Sequence, residues 1–213
     1  MKRARNTIQK EERRAAILEA GWKLFIEEKF SDISMSWVAR EAGLAKGTLY
    51  LYFETKEELF LALLTERMET FFKELNAGLI EFNSAITITE MARFTGRFHA
   101  QRVHLIRLMG ISHILLEHNT KDEAIIAFKS MTQTYVIKTG GLMETCLPFL
   151  KPGEGAQLVM AVYTILLGVQ QVTDPAPNVV DLIERKPELS FFNIDLESYL
   201  TYMIETHLKG VSP

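Results

Sequence analysis

Lys46, Thr48, Tyr50 and Tyr52 lie within seven residues of one another, interleaved with the apolar Leu49 and Phe53. An ammonium, a hydroxyl and two phenols at that spacing can donate hydrogen bonds to phosphate oxygens and to the acceptors that line a DNA groove. Gly47 sits among them. Ala45 precedes them with no side-chain group to close a helix start, which leaves free N–H groups for water or a phosphate oxygen. Ser34 and Ser36 upstream and Lys56 downstream are suited to phosphates. Trp37 puts a large ring at an outward helix position, where packing and a DNA contact are both open. Lys2, Arg3 and Arg5 belong to a basic arm that can follow a backbone or enter a minor groove.

Five histidines, His99, His104, His113, His118 and His207, bring metal binding or general-base catalysis into competition. Their spacing works against both. Residues five apart on one helix point about 140° away from each other, and His99 and His113, nearly aligned, would stand about 21 Å apart along the axis. No H-E-x-x-H, paired cysteine, phosphate-cradling glycine loop or G-x-S-x-G occurs in the sequence. The expectation is no enzyme, no metal site and no cofactor.

The groove-facing group needs elements to hold it. Ser34 is suited to cap a helix whose apolar positions Met35, Val38, Ala39 and Ala42 recur at three- and four-residue intervals. Gly43 permits the left-handed backbone past its end, so the chain can turn and restart at Lys46, with Leu49 and Phe53 gripping the core. Thr55 and Glu58 have capping-box spacing ahead of a long helix carrying Leu59, Phe60, Leu63, Leu64, Met68, Phe71, Phe72, Leu75 and Leu79. Further helices are expected from Thr89 to about His118 with a break near Gly110, from Asp122 to Leu147, over 154–172 and over 195–209. A connection with one short helix fills 174–193.

A chain of 213 residues with 47% hydrophobic content can bury a sizeable core. Charge is placed unevenly: the net is −3, yet residues 1–14 hold six Lys or Arg against two Glu, a net of +4, leaving −7 for the rest. The longest mostly apolar stretch, Leu158 to Val169, is short for a bilayer, and the N-terminus has no apolar signal core. With a lone Cys146 this predicts a cytoplasmic protein with no membrane partner.

Ala42-Gly43-Leu44-Ala45-Lys46-Gly47-Thr48-Leu49-Tyr50-Leu51-Tyr52-Phe53, followed by Lys56-Glu57-Glu58-Leu59, resembles the DNA-binding half of the tetracycline-repressor (TetR) family of bacterial regulators. Arg14-Ala15-Ala16-Ile17-Leu18-Glu19-Ala20 with Leu24-Phe25 is similar to that family's first helix, so the resemblance covers roughly residues 12–64. Two positions depart from it: the family often has serine where Ala45 stands, and a polar residue is usual at Trp37.

The resemblance implies an all-α fold in which an N-terminal three-helix helix-turn-helix domain, residues 1–54, joins a larger helical ligand-binding and dimerisation domain, residues 55–213. The implied partners are palindromic double-stranded operator DNA, a second copy of the chain, and a small, mostly apolar effector whose binding releases a repressor. Phe94, Phe98, Arg102, Met109, His113, Phe128, Met131 and Tyr135 mix apolar bulk with sparse polar groups and are the candidate effector lining. Leu158, Ala161, Val162, Ile165 and Val169, with Leu196, Tyr199, Leu200 and Met203, are the candidate dimer interface, burial within one subunit being the competing role. A DNA-binding activator or adaptor without an effector, and a helical enzyme, are the alternative functions.

Overall fold

The computed structural model describes the backbone from Lys2 to Pro213 and side chains from Thr7 onward. Among the described residues it contains helices and no strand: α1 (Lys2–Glu27), α2 (Met35–Glu41), α3 (Lys46–Leu49), α4 (Lys56–Glu81), α5 (Ile88–Ala100), α6 (Val103–Gly110), a π-helical segment Ser112–Leu116, α7 (Asp122–Cys146), α8 (Glu154–Thr173), α9 (Pro177–Arg185), a 3-10 segment Pro187–Phe192 and α10 (Leu196–Val211). They form two compact units, Met1–Met68 with Gly110–Met131, and Glu69–Met109 with Thr132–Pro213. Both α4 and α7 contribute to each unit.

In the first unit Ile17, Leu18, Leu24 and Phe25 of α1 meet Met35, Val38 and Ala39 of α2 and Leu59, Phe60, Leu63 and Leu64 of α4 in one buried core. Phe60 is its centre: the Phe25 ring lies 5.8 Å from it and the Phe30 ring 5.2 Å, edge-on. At the rim Arg67 lies over the Trp22 ring, 4.9 Å from its centroid, and pairs with Glu19. The part of this unit that comes from later in the chain is tied to the start of α4. Thr55 donates its hydroxyl to the Asn119 carbonyl at 2.9 Å, and Lys121 pairs with Glu54 at 2.5 Å. Thr55 also caps α4, accepting from the Glu58 N–H at 3.0 Å, while the Glu58 carboxylate accepts from the Glu54 N–H at 2.7 Å. The sequence-based box is therefore displaced by one residue on its return arm.

In the second unit α5 packs on α10 and α7 on α8, both through small residues. A Cβ on Gly96 would stand 2.1 Å from the Thr201 hydroxyl, and one on Gly140 2.4 Å from the Ala156 nitrogen, so each crossing is closer than any side chain allows. Glu144 fixes the α7–α8 corner by accepting from the Gly153 and Gly155 N–H groups at 2.8 and 3.0 Å. The helix expected from Thr89 begins instead at Ile88, because Thr87, three residues before Glu90, forms a complete capping box. It breaks at Gly110 as expected, where α6 ends ahead of the π-helical segment, and also earlier, at Gln101–Arg102. By length and composition α8 could cross a membrane, but its Leu158, Val159, Val162, Leu166 and Val169 are buried in this unit.

Candidate nucleic-acid interface

Ser34 starts the motif as expected, its hydroxyl accepting from the Trp37 N–H at 3.2 Å to cap α2. The end of α2 is closed by Gly43 at φ +66. The Leu44 N–H donates to Ala39 O at 2.8 Å and the Gly43 N–H to Arg40 O at 3.1 Å, the paired bonds of a Schellman ending. This stop turns the chain sharply enough for α3 to begin three residues later at Lys46. Leu49, wholly buried, and Phe53, 4% exposed, anchor α3 and the turn after it. The α-helix ends at Leu49, and the chain continues to Phe53 through tight turns, with Tyr52 N–H on Leu49 O at 2.9 Å.

Anchoring at Leu49 and Phe53 aims the residues between them outward. Lys46, Gly47 and Tyr50 are exposed, and Thr48 and Tyr52 are half-buried. The Lys46 ammonium lies 5.8 Å from the Tyr50 ring centroid, which keeps both groups on one face. Ala45 sits at the N-cap without a side-chain cap. Ser36 is exposed on α2, and Trp37 is half-buried with the Arg40 guanidinium 5.9 Å from its ring centroid. The side chains of Lys2, Arg3 and Arg5 lie outside the described residues. Leu51 was not among the sequence-derived candidates. It is 80% exposed on the same turn, and the heavily polar reading of the interface passed over it.

Lys56, expected at a phosphate, has its ammonium engaged within the chain. Its ammonium donates to the Phe30 and Ile33 carbonyls at 2.6 and 2.9 Å and lies 4.1 Å from the Phe30 ring centroid. Burial holds its pKa below the ordinary lysine value, against the raising influence of Glu57 and Asp32. Lys56 thus ties the start of α4 to the loop that leads into α2.

The candidate effector lining is divided between the units. Phe94, Phe98, Arg102, Met109 and Tyr135 belong to the second, His113, Phe128 and Met131 to the first. In the second unit Phe98 lies 5.3 Å from Phe71, and Tyr135 stacks on Phe72 at 5.2 Å. The polar members of the set already have partners: Arg102 pairs with Glu74 at 2.7 Å, His113 Nδ1 lies 3.1 Å from the Glu117 carboxylate, and Tyr135 donates its hydroxyl to Glu69 at 3.4 Å. Asn76 is an unexpected buried polar group there: Thr139 donates to its Oδ1 at 2.7 Å and its Nδ2 has no partner. A separate apolar cleft of about 940 Å³ opens among the end of α8, α9, the 3-10 segment and the start of α10, lined by Val172, Leu182, Phe191, Phe192, Tyr199 and Tyr202 among others. Of the candidate dimer residues, Leu158, Val162, Val169 and Leu200 are buried within the chain, whereas Ala161, Ile165, Leu196, Tyr199 and Met203 keep partly open surface.

Residues 17–63 match the family model described as bacterial regulatory proteins, tetR family, and residues 65–213 match the tetracyclin repressor-like C-terminal domain. A fatty acid metabolism regulator protein of Bacillus subtilis (strain 168) is 32% identical over 73 residues, which is 34% of this chain and 38% of that protein. The transcriptional regulator RutR of Escherichia coli (strain K12) is 26% identical over 209 residues, covering 94% of this chain and 91% of its own. In structure, the transcriptional regulator FadR from Bacillus subtilis, solved in complex with stearoyl-CoA, shares the fold with a TM-score of 0.53 at 19% identity, over 89% of this chain and 96% of that one. With the two family models together spanning nearly all of it from residue 17 onward, the chain belongs to the tetracycline-repressor family and is a DNA-binding transcriptional regulator of the helix-turn-helix type.

Proposed function

We propose that this regulator is a repressor that binds a roughly palindromic operator as a homodimer in the cytoplasm and is released by a small, mostly apolar effector. Residues 1–54 engage DNA and residues 55–213 supply the partner and effector surfaces. The observation that carries the DNA half is the outward set Lys46, Gly47, Thr48 and Tyr50 held over the buried Leu49 and Phe53. Tyr52, Ser34, Ser36, Trp37 and Ala45 flank that set, and the arm with Lys2, Arg3 and Arg5 adds phosphate contacts.

Release is supported by the membership of the first unit. Gly110–Met131, from the C-terminal part of the chain, folds with the helix-turn-helix, and Thr55–Asn119 and Glu54–Lys121 fasten it immediately after the DNA-facing turn. A ligand that shifts residues 110–131 therefore bears on the start of α4. The effector must favour the arrangement that cannot bind DNA, and a coupling of about 1–3 kcal/mol would lower operator affinity roughly 5- to 150-fold. The fold neighbour's stearoyl-CoA makes long acyl compounds the first class to screen. No catalytic step is assigned.

Operator selection from random duplexes, followed by titration with acyl compounds that raise the melting temperature, tests the proposal. A selected palindrome whose affinity drops as the stabilising compound is added is the expected result. Selection of one sequence with no compound altering its affinity would leave a regulator without an effector.

A further inference from the structure

We propose that Leu51 is a specificity-determining residue that reads the C5 methyl group of a thymine in each operator half-site. The inference rests on the DNA-binding assignment and adds an aliphatic base contact to the polar ones proposed beside it. Around the α3 turn Leu49 is wholly buried and Phe53 nearly so, while Leu51 between them is 80% exposed. Its exposure is therefore imposed by the two anchors on either side, and it leaves a branched apolar side chain in water where only an outside surface can cover it.

Position identifies that surface. Gly47, Tyr50 and Leu51 follow at three- and four-residue intervals, and the backbone stays right-handed through Tyr50 (φ −66, ψ −12), so the three share one outward face. A Cβ built on Gly47 meets nothing within 4 Å among the described residues, so this face is open at that point. Lys46 and Tyr50 beside Leu51 supply donors for phosphates and base acceptors. Leu51 has no donor or acceptor and makes no bond to a phosphate. Of the groups exposed along the major groove, the thymine methyl is the apolar one, and it is the feature by which an aliphatic side chain separates T from C.

Selection from random duplexes with the wild-type chain and with Leu51→Ala is the first test. The wild type is expected to require a thymine at one position and its symmetry mate, and Leu51→Ala to accept any base there with the remaining positions unchanged. Deoxyuridine, which lacks only the methyl, is then placed at each thymine of the selected operator. At the Leu51 position it should weaken wild-type binding about fourfold per half-site and leave Leu51→Ala unaffected. Leu51→Met should keep the deoxyuridine sensitivity, which keeps the test open if Leu51→Ala binds too weakly to select. A wild type indifferent to every deoxyuridine, or a Leu51→Ala that still requires the same thymines, overturns the assignment. Failure of the wild type to select any sequence would instead overturn the DNA-binding reading beneath it.

Discussion

Residues 34–53 and residues 174–195 are both rich in exposed side chains, for opposite reasons. In the first stretch Met35, Val38, Ala39, Leu49 and Phe53 are buried, and each exposed residue is held outward by a neighbour that is anchored. In the second no residue is buried at all, although Val179, Val180, Leu182, Phe191 and Phe192 are apolar and more than a third exposed. Exposure in the helix-turn-helix is selective, residue by residue. Around α9 it is collective, a run of apolar side chains that the subunit itself leaves open. The difference teaches that an exposed apolar residue identifies a contact only when its surroundings show that it had an alternative.

The comparison breaks most visibly with charge placed on α8 and α10. Leu200 is wholly buried, so Leu200→Asp strands a carboxylate in the core of the second unit and should cost about 4 kcal/mol or more, enough to prevent folding. A Cβ on Gly168 of α8 meets nothing within 4 Å, so Gly168→Arg should leave the protomer folded. Sedimentation velocity is then expected to show folded monomers for Gly168→Arg and aggregate for Leu200→Asp. A folded, dimeric Gly168→Arg would move the subunit interface off this face of α8.

Acid stability should be lodged in the second unit. His99 is buried beside Phe71 and Phe98, its Nδ1–H donating to the Thr95 carbonyl at 2.6 Å. Burial, outweighing the Thr95 contact and joined by the nearby Arg102 charge, lowers its pKa from 6.5 to about 4. Between these values the unfolded chain holds a proton that the folded chain refuses. Stability is complete above pH 6.5 and lost as pH falls toward 4, by about 3 kcal/mol. Urea titrations across that range should show the slope in the wild type and lose it in His99→Phe; an unchanged slope would place the proton uptake elsewhere.

Lys56→Met should cost about 1–3 kcal/mol, since it removes two charge-assisted hydrogen bonds from the Phe30 and Ile33 carbonyls. Operator and random DNA should both be bound more weakly because the loop before α2 loosens, with the slope of affinity against salt unchanged. A slope reduced by about 1 would instead show that Lys56 neutralises a phosphate.

Much of the motif was legible because its information is local. The Ser34 cap, the Gly43 stop and the alternation of Leu49 with Phe53 are set by residues within four positions of each other. The intrachain bonds of Lys56 were not legible, because its partners, the Phe30 and Ile33 carbonyls, lie more than twenty residues away and backbone acceptors carry no sequence signature. The same limit divided the effector candidates: composition placed eight residues together, while the fold assigns His113, Phe128 and Met131 to the unit that holds the helix-turn-helix. On α8, periodicity showed that more of the helix is apolar than one core face requires but not which side its own subunit buries, and the fold buries Val162 while leaving Ala161 partly open.

Gly47→Ala should have the smallest effect on stability and a decisive one on DNA. Gly47 lies within α3 in a helical conformation, with no positive φ to require glycine. An added Cβ meets no atom of the described residues within 4 Å, so none of them requires it either. Alanine is the better helix former by about 1 kcal/mol, and the variant should melt at the same temperature as the wild type or slightly higher. Gly43→Ala is the control: its φ of +66 makes alanine strained whatever the space, and that variant should lose stability. If backbone at Gly47 approaches the duplex closely, Gly47→Ala inserts a methyl group into the contact and should lower operator affinity at least tenfold while the fold gains stability. Opposite signs in the two measurements locate the demand for glycine outside the chain. Unchanged operator affinity would show that DNA passes this face at a distance, and would turn the outward residues of α3 into a surface that only the longer side chains of Lys46 and Tyr50 bridge.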